Sequence, residues 1–326
     1  MTWLRNVRRQ LQQFLFPFES DDWLAYLRIG LACQIICYCF ALRGDWIQLF
    51  AGEGNGLISR DLTEASLAAE SPYIPAVGWL VSLGGYLGIG ETEILWLVWF
   101  CLLSGALCLL AGIFSRIATV LLWFLYLCTT KSASLLGYGV DNFTVIGLFY
   151  LMVSPLPDRW ALDARWRDQP PKDPRLHGFH RRILQLHMCL IYFFGGIAKS
   201  VGVGWWTGTS LWRAMTRAPF DVIPPELLIR GKSLFAMVGI LVCMTETAYP
   251  IFIWWRKTRP VWLLLVVGMH VAIGVAMGMY LFALVMLVLN IAAFGPDWRR
   301  VFGCAATEDQ IAEKLPAAVP LRGPPD

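Results

Sequence analysis

Eight apolar runs constrain this chain more than any other feature: residues 22–42, 93–113, 117–135, 140–156, 182–199, 233–254, 260–277 and 279–295. Most approach the ~20 residues an α-helix needs to cross the hydrocarbon core of a bilayer. In lipid every backbone N–H and C=O needs an internal partner, and a helix supplies one within its own segment. The expected fold class is therefore all-α, a polytopic integral membrane bundle of about eight transmembrane helices. Composition agrees. Of 326 residues, 57% are hydrophobic and 15% charged, against roughly 25% charged in soluble domains. Residues 72–92 are apolar but interrupted by Gly and Pro, and read as a re-entrant or interfacial segment.

Orientation follows from lysine and arginine. Basic residues gather at Arg5, Arg8 and Arg9, at Arg116, between Arg159 and Arg182, at Arg256, Lys257 and Arg259, and at Arg299 and Arg300. Eight alternating spans put all five segments on one side, which the positive-inside rule makes the cytoplasm. The expectation is a multi-pass protein of the bacterial inner (plasma) membrane with both termini cytoplasmic. The 200–232 loop, with Arg213, Arg217, Arg230 and Lys232, falls on the other side. The division is an N-terminal amphipathic surface helix over 1–20, a transmembrane domain over 21–296, and a disordered Ala- and Pro-rich tail over 297–326. In the first of these, Trp3, Leu4, Val7, Leu11, Phe14, Leu15 and Phe18 recur at helical spacing between arginines and glutamines, the pattern of a helix lying on a membrane surface.

The net charge of +4 comes from loop arginines, with no long basic tract. That excludes nucleic acid as an expected partner and leaves the lipid bilayer. Most of the nine cysteines sit in apolar runs, where they fill space rather than form a disulfide framework. No Cys/His cluster has zinc spacing, so no metal is expected. P-loop, Ser-His-Asp elbow and metalloprotease patterns are missing from the sequence.

Four ionisable residues lie in or beside the runs. A charge at membrane depth is costly and usually faces a bundle interior or a polar cavity. Lys199 ends the run Leu190–Ala198 and precedes a Gly-rich loop with the pair Trp205–Trp206. It is either a lysine snorkelling to the outer interface or a desolvated amine able to act as a base. His270, about 15 Å into its run, is either a satisfied core histidine or a site residue. Glu246 falls at similar depth, which predicts a Glu246–His270 pair. Asp141 opens the fourth run after a Gly-rich turn, as a helix cap or a substrate-binding group.

The residues Gln185–Lys199 (QLHMCLIYFFGGIAK), followed by Trp205, Trp206 and Gly208, resemble the horizontally transferred transmembrane (HTTM) family. That family is related to the membrane domain of vitamin K-dependent gamma-glutamyl carboxylase. Glu246–Pro250, His270 and Gly278–Phe294 form a second block in the same order, and Leu136–Asp163 a third. The resemblance implies a carboxylase-like membrane enzyme in which Lys199 is the base that deprotonates a reduced quinone. It also implies His270 in the same active-site region. Trp205, Trp206, Glu246 and Asp141 are the candidate substrate-binding residues. Two features depart from the carboxylase. This chain has Ala198-Lys199 where the carboxylase has adjacent lysines, and it ends soon after its last run, without the lumenal region that docks protein substrates. A geometric difficulty also arises: counted from the inner ends of their runs, Lys199 and His270 differ by ~12 Å in depth. The alternative functions are a non-catalytic membrane partner for maturation or export of a secreted peptide, and a structural membrane subunit.

Overall fold

A computed structural model describes residues 2–52, 59–166 and 172–295. The expected disordered tail over 297–326, with Arg299 and Arg300, lies outside the described residues, as does Arg167. The helices are α1 (Thr2–Leu15), α2 (Asp22–Leu42), α3 (Trp46–Phe50), α4 (Arg60–Glu70), α5 (Val77–Tyr86), α6 (Glu91–Ala111), α7 (Ser115–Ser132) and α8 (Gly139–Val153). They continue with α9 (Leu162–Trp166), α10 (Pro174–Val201), α11 (Val203–Trp206), α12 (Thr209–Thr216), α13 (Pro225–Arg230), α14 (Lys232–Phe252), α15 (Arg259–Met277) and α16 (Tyr280–Phe294).

Each of the eight apolar runs is a helix. Five of them, α2, α6, α10, α14 and α15, are long and apolar enough to cross a membrane. Helices α8 and α16 are apolar but shorter. The helix expected at the N-terminus is present and stops at Leu15, just before Pro17. Its apolar residues Trp3, Leu4, Leu11 and Phe14 are exposed. The 72–92 segment contains the short helix α5, packed on α6 and α7.

Helix α2 is the axis of the bundle, packed against α6, α8 and α16 through Leu24, Leu27, Leu31 and Ile35, all fully buried. Helix α10 packs chiefly on α14. Local sequence sets several helix starts. Asp173 caps α10 by accepting from Arg175 N at 2.8 Å, with Pro174 at the first helical position, where its missing N–H is no loss. Asp163 accepts from Phe114 N and Ser115 N at 3.0 and 2.7 Å, so the Leu-Asp exit after α8 holds the start of α7.

Side-chain contacts fix which helix ends lie together. Arg28 near the start of α2 reaches Asp158 and the carbonyls of Leu109 and Leu110. Arg159 pairs with Asp21 and Asp22, and Arg181 donates to Glu19 and to the Ala293 carbonyl. Trp254 contacts the rings of both Phe14 and Phe294, the latter edge-on. One end of the bundle, the basic end, therefore gathers 14–28, 109–116, 154–166, 172–182, 252–259 and 293–295. At the far end, Glu64 accepts from Ser132 Oγ at 2.6 Å and from Gly78 N at 3.0 Å, tying the 59–86 region to α7.

Candidate functional site

Helix α10 carries a buried polar stripe. Arg181, Gln185, Tyr192 and Lys199 are spaced four, seven and seven residues apart, which keeps them on one face. At the basic end Arg181 and Gln185 donate to the Ala293 carbonyl, at 3.0 and 2.7 Å. Tyr192 accepts from Asn290 Nδ2 at 2.7 Å, and Asn290 Oδ1 in turn accepts from the Tyr249 hydroxyl at 2.9 Å. At the top of the stripe Lys199 Nζ lies 2.5 Å from Glu246 Oε2.

Glycine makes that last contact possible. A Cβ on Gly196 would sit 2.5 Å from Thr247 N and 2.9 Å from the Glu246 carbonyl carbon. Only a residue without a side chain lets α10 approach α14 this closely, as small residues do in helix packing within lipid. Lysine side chains lean toward the helix N-terminus, which turns the amine down from its own Cα to Glu246. The Lys199 side chain is 29% exposed and that of Glu246 8%. The Trp205 ring covers the ammonium, with Nζ 5.6 Å from the ring centroid, a cation–π arrangement. Trp205 is held in turn by α14, since its carbonyl packs against Gly239 where any Cβ would collide.

The Glu246–His270 pair expected from depth is not formed. Glu246 pairs with Lys199, while His270 Nδ1 lies 2.9 Å from the Val266 carbonyl one turn earlier in its own helix. The reason is where α10 ends. Its Gly196 is level with Thr247, and it stops at Val201, while α14 continues outward from Glu246 to Lys232, ~20 Å further. The space above α10 is filled by α11 and α12, which pack on the outer half of α14. The segment expected as a loop over 200–211 thus contains two short helices packed on α14 at the far end, neither with a fully buried residue. The depth difference between Lys199 and His270 remains, because seven residues of α10, ~10 Å of rise, separate Lys199 from Tyr192. His270 is buried, with its ring 6.1 Å from that of Tyr192, one layer below the Lys199–Glu246 contact.

The remaining candidates separate. Trp206 is 45% exposed and its indole N–H donates to the Ser200 carbonyl at 2.7 Å, which terminates α10. Asp141 sits at the start of α8, accepting from Tyr138 N at 3.0 Å and from the Tyr126 hydroxyl at 3.4 Å. It behaves as a cap, and lines a cavity between α7 and α8 of about 450 Å³ together with Lys131 and Asn142. Neither Lys199 nor Glu246 lines that cavity. Sequence reasoning passed over Tyr192, Tyr249 and Asn290. The seven-residue spacing of Tyr192 from both Gln185 and Lys199 was the available signal. Among the described residues no group of His, Cys, Asp and Glu could hold a metal ion, and the described cysteines are unpaired.

The fold and the site thus define a helical bundle with an ion pair buried between two apolar helices, of the kind found in integral membrane proteins. The HTTM domain model matches residues 85–298, and the chain belongs to the HTTM family. No curated protein and no solved structure matches it.

Proposed function

We propose that this protein is a membrane-embedded enzyme in which Lys199 and Glu246 form an acid–base dyad acting on a lipid-soluble hydroxyl compound of quinol type. The observation that carries the reading is the 2.5 Å contact between Lys199 Nζ and the nearly buried Glu246, roofed by Trp205. Stability alone gives little reason for such a pair, because desolvation offsets the Coulomb attraction and apolar side chains of similar size serve as well. Ionisable groups within apolar spans mark sites by default.

The chemistry is a proton transfer. In a water-poor site the ion pair and the neutral amine–carboxylic acid pair exchange one proton along the Nζ···Oε2 contact. The neutral amine of Lys199 then takes the proton of the substrate hydroxyl: the O–H bond breaks, an N–H bond forms, and an oxyanion is left beside the ammonium. Glu246 is the proton store, and Trp205 excludes water while its π face supports the ammonium. His270, fixed through Nδ1 by the Val266 carbonyl, orients the substrate rather than taking its proton. Through the family resemblance, a reduced quinone is the substrate this dyad suits. Eight spans, with the basic end in the cytoplasm of an inner membrane, complete the reading.

The test is anaerobic titration of the purified protein in nanodiscs with 2-methyl-1,4-naphthohydroquinone, following the absorbance of the deprotonated naphthol. Wild type is expected to generate the anion band at neutral pH, and Lys199→Met and Glu246→Gln to lose it. An equal band in Lys199→Met overturns the base role. No band in any variant, together with a secreted peptide that co-purifies, favours the maturation-partner alternative.

A further inference from the structure

We propose that the cavity at the basic end, between the α1–α2 turn, the 157–165 segment and the first turn of α10, is a binding site for a phosphoanion. This inference is independent of the Lys199–Glu246 reading. The cavity has a volume of about 400 Å³ and is lined by Glu19, Asp21, Arg159, Arg165, Lys172 and His177, among others. Both signs of charge are present, so what decides its preference is which groups are already committed.

The carboxylates are committed. Glu19 accepts from Arg181 Nη1 at 2.7 Å. Asp21 accepts from Arg159 N at 2.7 Å and faces Arg159 Nε at 3.5 Å. The donors are not all used. Lys172 Nζ donates to the carbonyls of Pro155, at 2.8 Å, and Leu156. An ammonium has three donors, so one remains, and no described carboxylate lies within ion-pair distance of it. Burial lowers the Lys172 pKa and nearby Arg116 pushes the same way, while Asp158 and Asp21, both already held by arginines, push against it. Arg165 is exposed and has no ion-pair partner among the described residues. His177 is 5% exposed, yet its Nδ1 has no partner among the described atoms. It lies in the first turn of a 28-residue helix, where the dipole favours negative charge. An ammonium, a guanidinium and an imidazole lining one cavity can serve as a donor set for phosphate oxygens.

The position favours an anionic phospholipid headgroup as the source. Helix α1, with its exposed apolar face and Arg5, Arg8 and Arg9, leads directly into the turn that lines the cavity. Its end is fixed to α10 by the stacked Phe16 and Phe179 rings, 4.8 Å apart, and by Arg182 Nε donating to the Phe14 carbonyl at 2.9 Å. A helix of this kind lies at headgroup depth, so the cavity opens where lipid phosphates are. Basic pockets between spans on the cytoplasmic side bind such headgroups.

The full-length protein is to be reconstituted in phosphatidylcholine nanodiscs with and without phosphatidylglycerol, and assayed by native mass spectrometry for retained lipid and by thermal unfolding. Wild type is expected to retain phosphatidylglycerol and to unfold at higher temperature in its presence. Arg165→Gln, an exposed change that leaves packing intact, and Lys172→Met should each lower retention, the double variant by about tenfold or more, as expected for losing charged hydrogen bonds. Arg8→Gln/Arg9→Gln should leave tight retention unchanged, which separates the cavity from the general attraction of α1. If inorganic phosphate at millimolar concentration gives the same Arg165- and Lys172-dependent stabilisation in phosphatidylcholine alone, the ligand is a free phosphoanion. Retention and unfolding temperature indifferent to both lipid and phosphate, or unchanged in the double variant, overturn the proposal.

Discussion

Arg28 Nε lies 2.6 Å from Asp158 Oδ2, and the two side chains are 1% and 0% exposed. The same guanidinium donates to the carbonyls of Leu109 and Leu110 at 2.7 and 2.8 Å. These are among the last carbonyls of α6; that of Leu109 also accepts from Gly112 N at 3.1 Å. Asp158 also accepts from Trp160 N at 3.0 Å. One buried ion pair thus joins the start of α2, the end of α6 and the chain leaving α8.

Removing one partner of this pair should be severe. Asp158→Ala leaves an unpaired guanidinium in the core and is expected to lower stability by about 3–5 kcal/mol. Arg28→Leu combined with Asp158→Leu should recover part of the loss, though not all, because the Leu110 carbonyl then lacks its Arg28 donor. Thermal unfolding in detergent reads both. A single variant as stable as wild type would show that the pair carries no weight.

The sequence carried the fold further than the site. Length and hydropathy marked the eight apolar helices, five of them long enough to cross a membrane, because crossing lipid forces long unbroken apolar runs. Arg28 shows where that reading stops. It stands in an apolar run just as Lys199 does, but its partner is 130 positions away in a basic loop where one aspartate looks like another. Lys199 and Glu246 were each legible as buried ionisable groups. Their pairing was not, because depth counted along straight helices assumes that every helix spans the same thickness. Helix α10 stops early, and the Gly195-Gly196 pair brings it onto α14 at a level that counting cannot give. The α11–α12 layer was hidden for a related reason: short helices rich in Gly and Trp have no long period to detect.

Adjacent glycines at the α10–α14 crossing should respond differently. A Cβ at Gly196 meets backbone at 2.5 Å, whereas one at Gly195 meets only Glu246 Oε2 at 3.4 Å and Lys199 Nζ at 3.7 Å. Gly196→Ala is expected to lower stability by about 1–3 kcal/mol through overpacking and to force α10 away from α14. Gly195→Ala should be near neutral, because alanine is the better helix former. Unfolding temperatures of the two variants, compared side by side, check the crossing. Equal effects would contradict it.

The Tyr192–Asn290–Tyr249 bridge should act as a unit. Asn290→Leu strips the partner from two buried tyrosine hydroxyls, and each unsatisfied group is expected to cost about 1–3 kcal/mol. Tyr192→Phe and Tyr249→Phe placed on top of Asn290→Leu remove the orphaned hydroxyls and should restore stability. The thermal unfolding of the triple variant against Asn290→Leu measures this coupling. A triple variant less stable than Asn290→Leu would rule out hydroxyl desolvation as the cause.

Orientation can be tested independently of the chemistry. The basic end brings together Arg8, Arg116, Arg159, Lys172, Arg175 and Arg256, with Arg28 and Arg181 turned inward to ion pairs. The far end carries Lys131, Arg213, Arg217, Arg230 and Lys232, and its Arg60 is held by Asp61, Glu64 and Glu91. Because lysine and arginine near span ends are retained on the cytoplasmic side, the basic end should face inward. In a background lacking accessible native cysteines, Arg8→Cys is expected to resist a membrane-impermeant maleimide in intact cells, and to react once the cells are opened. Arg217→Cys, exposed in the segment after α12, should react in intact cells. The opposite pattern would invert the protein. Reaction of both sites in intact cells would mean that the two ends do not lie on opposite sides of the membrane, and an odd number of crossings between residues 8 and 217 would fall with it.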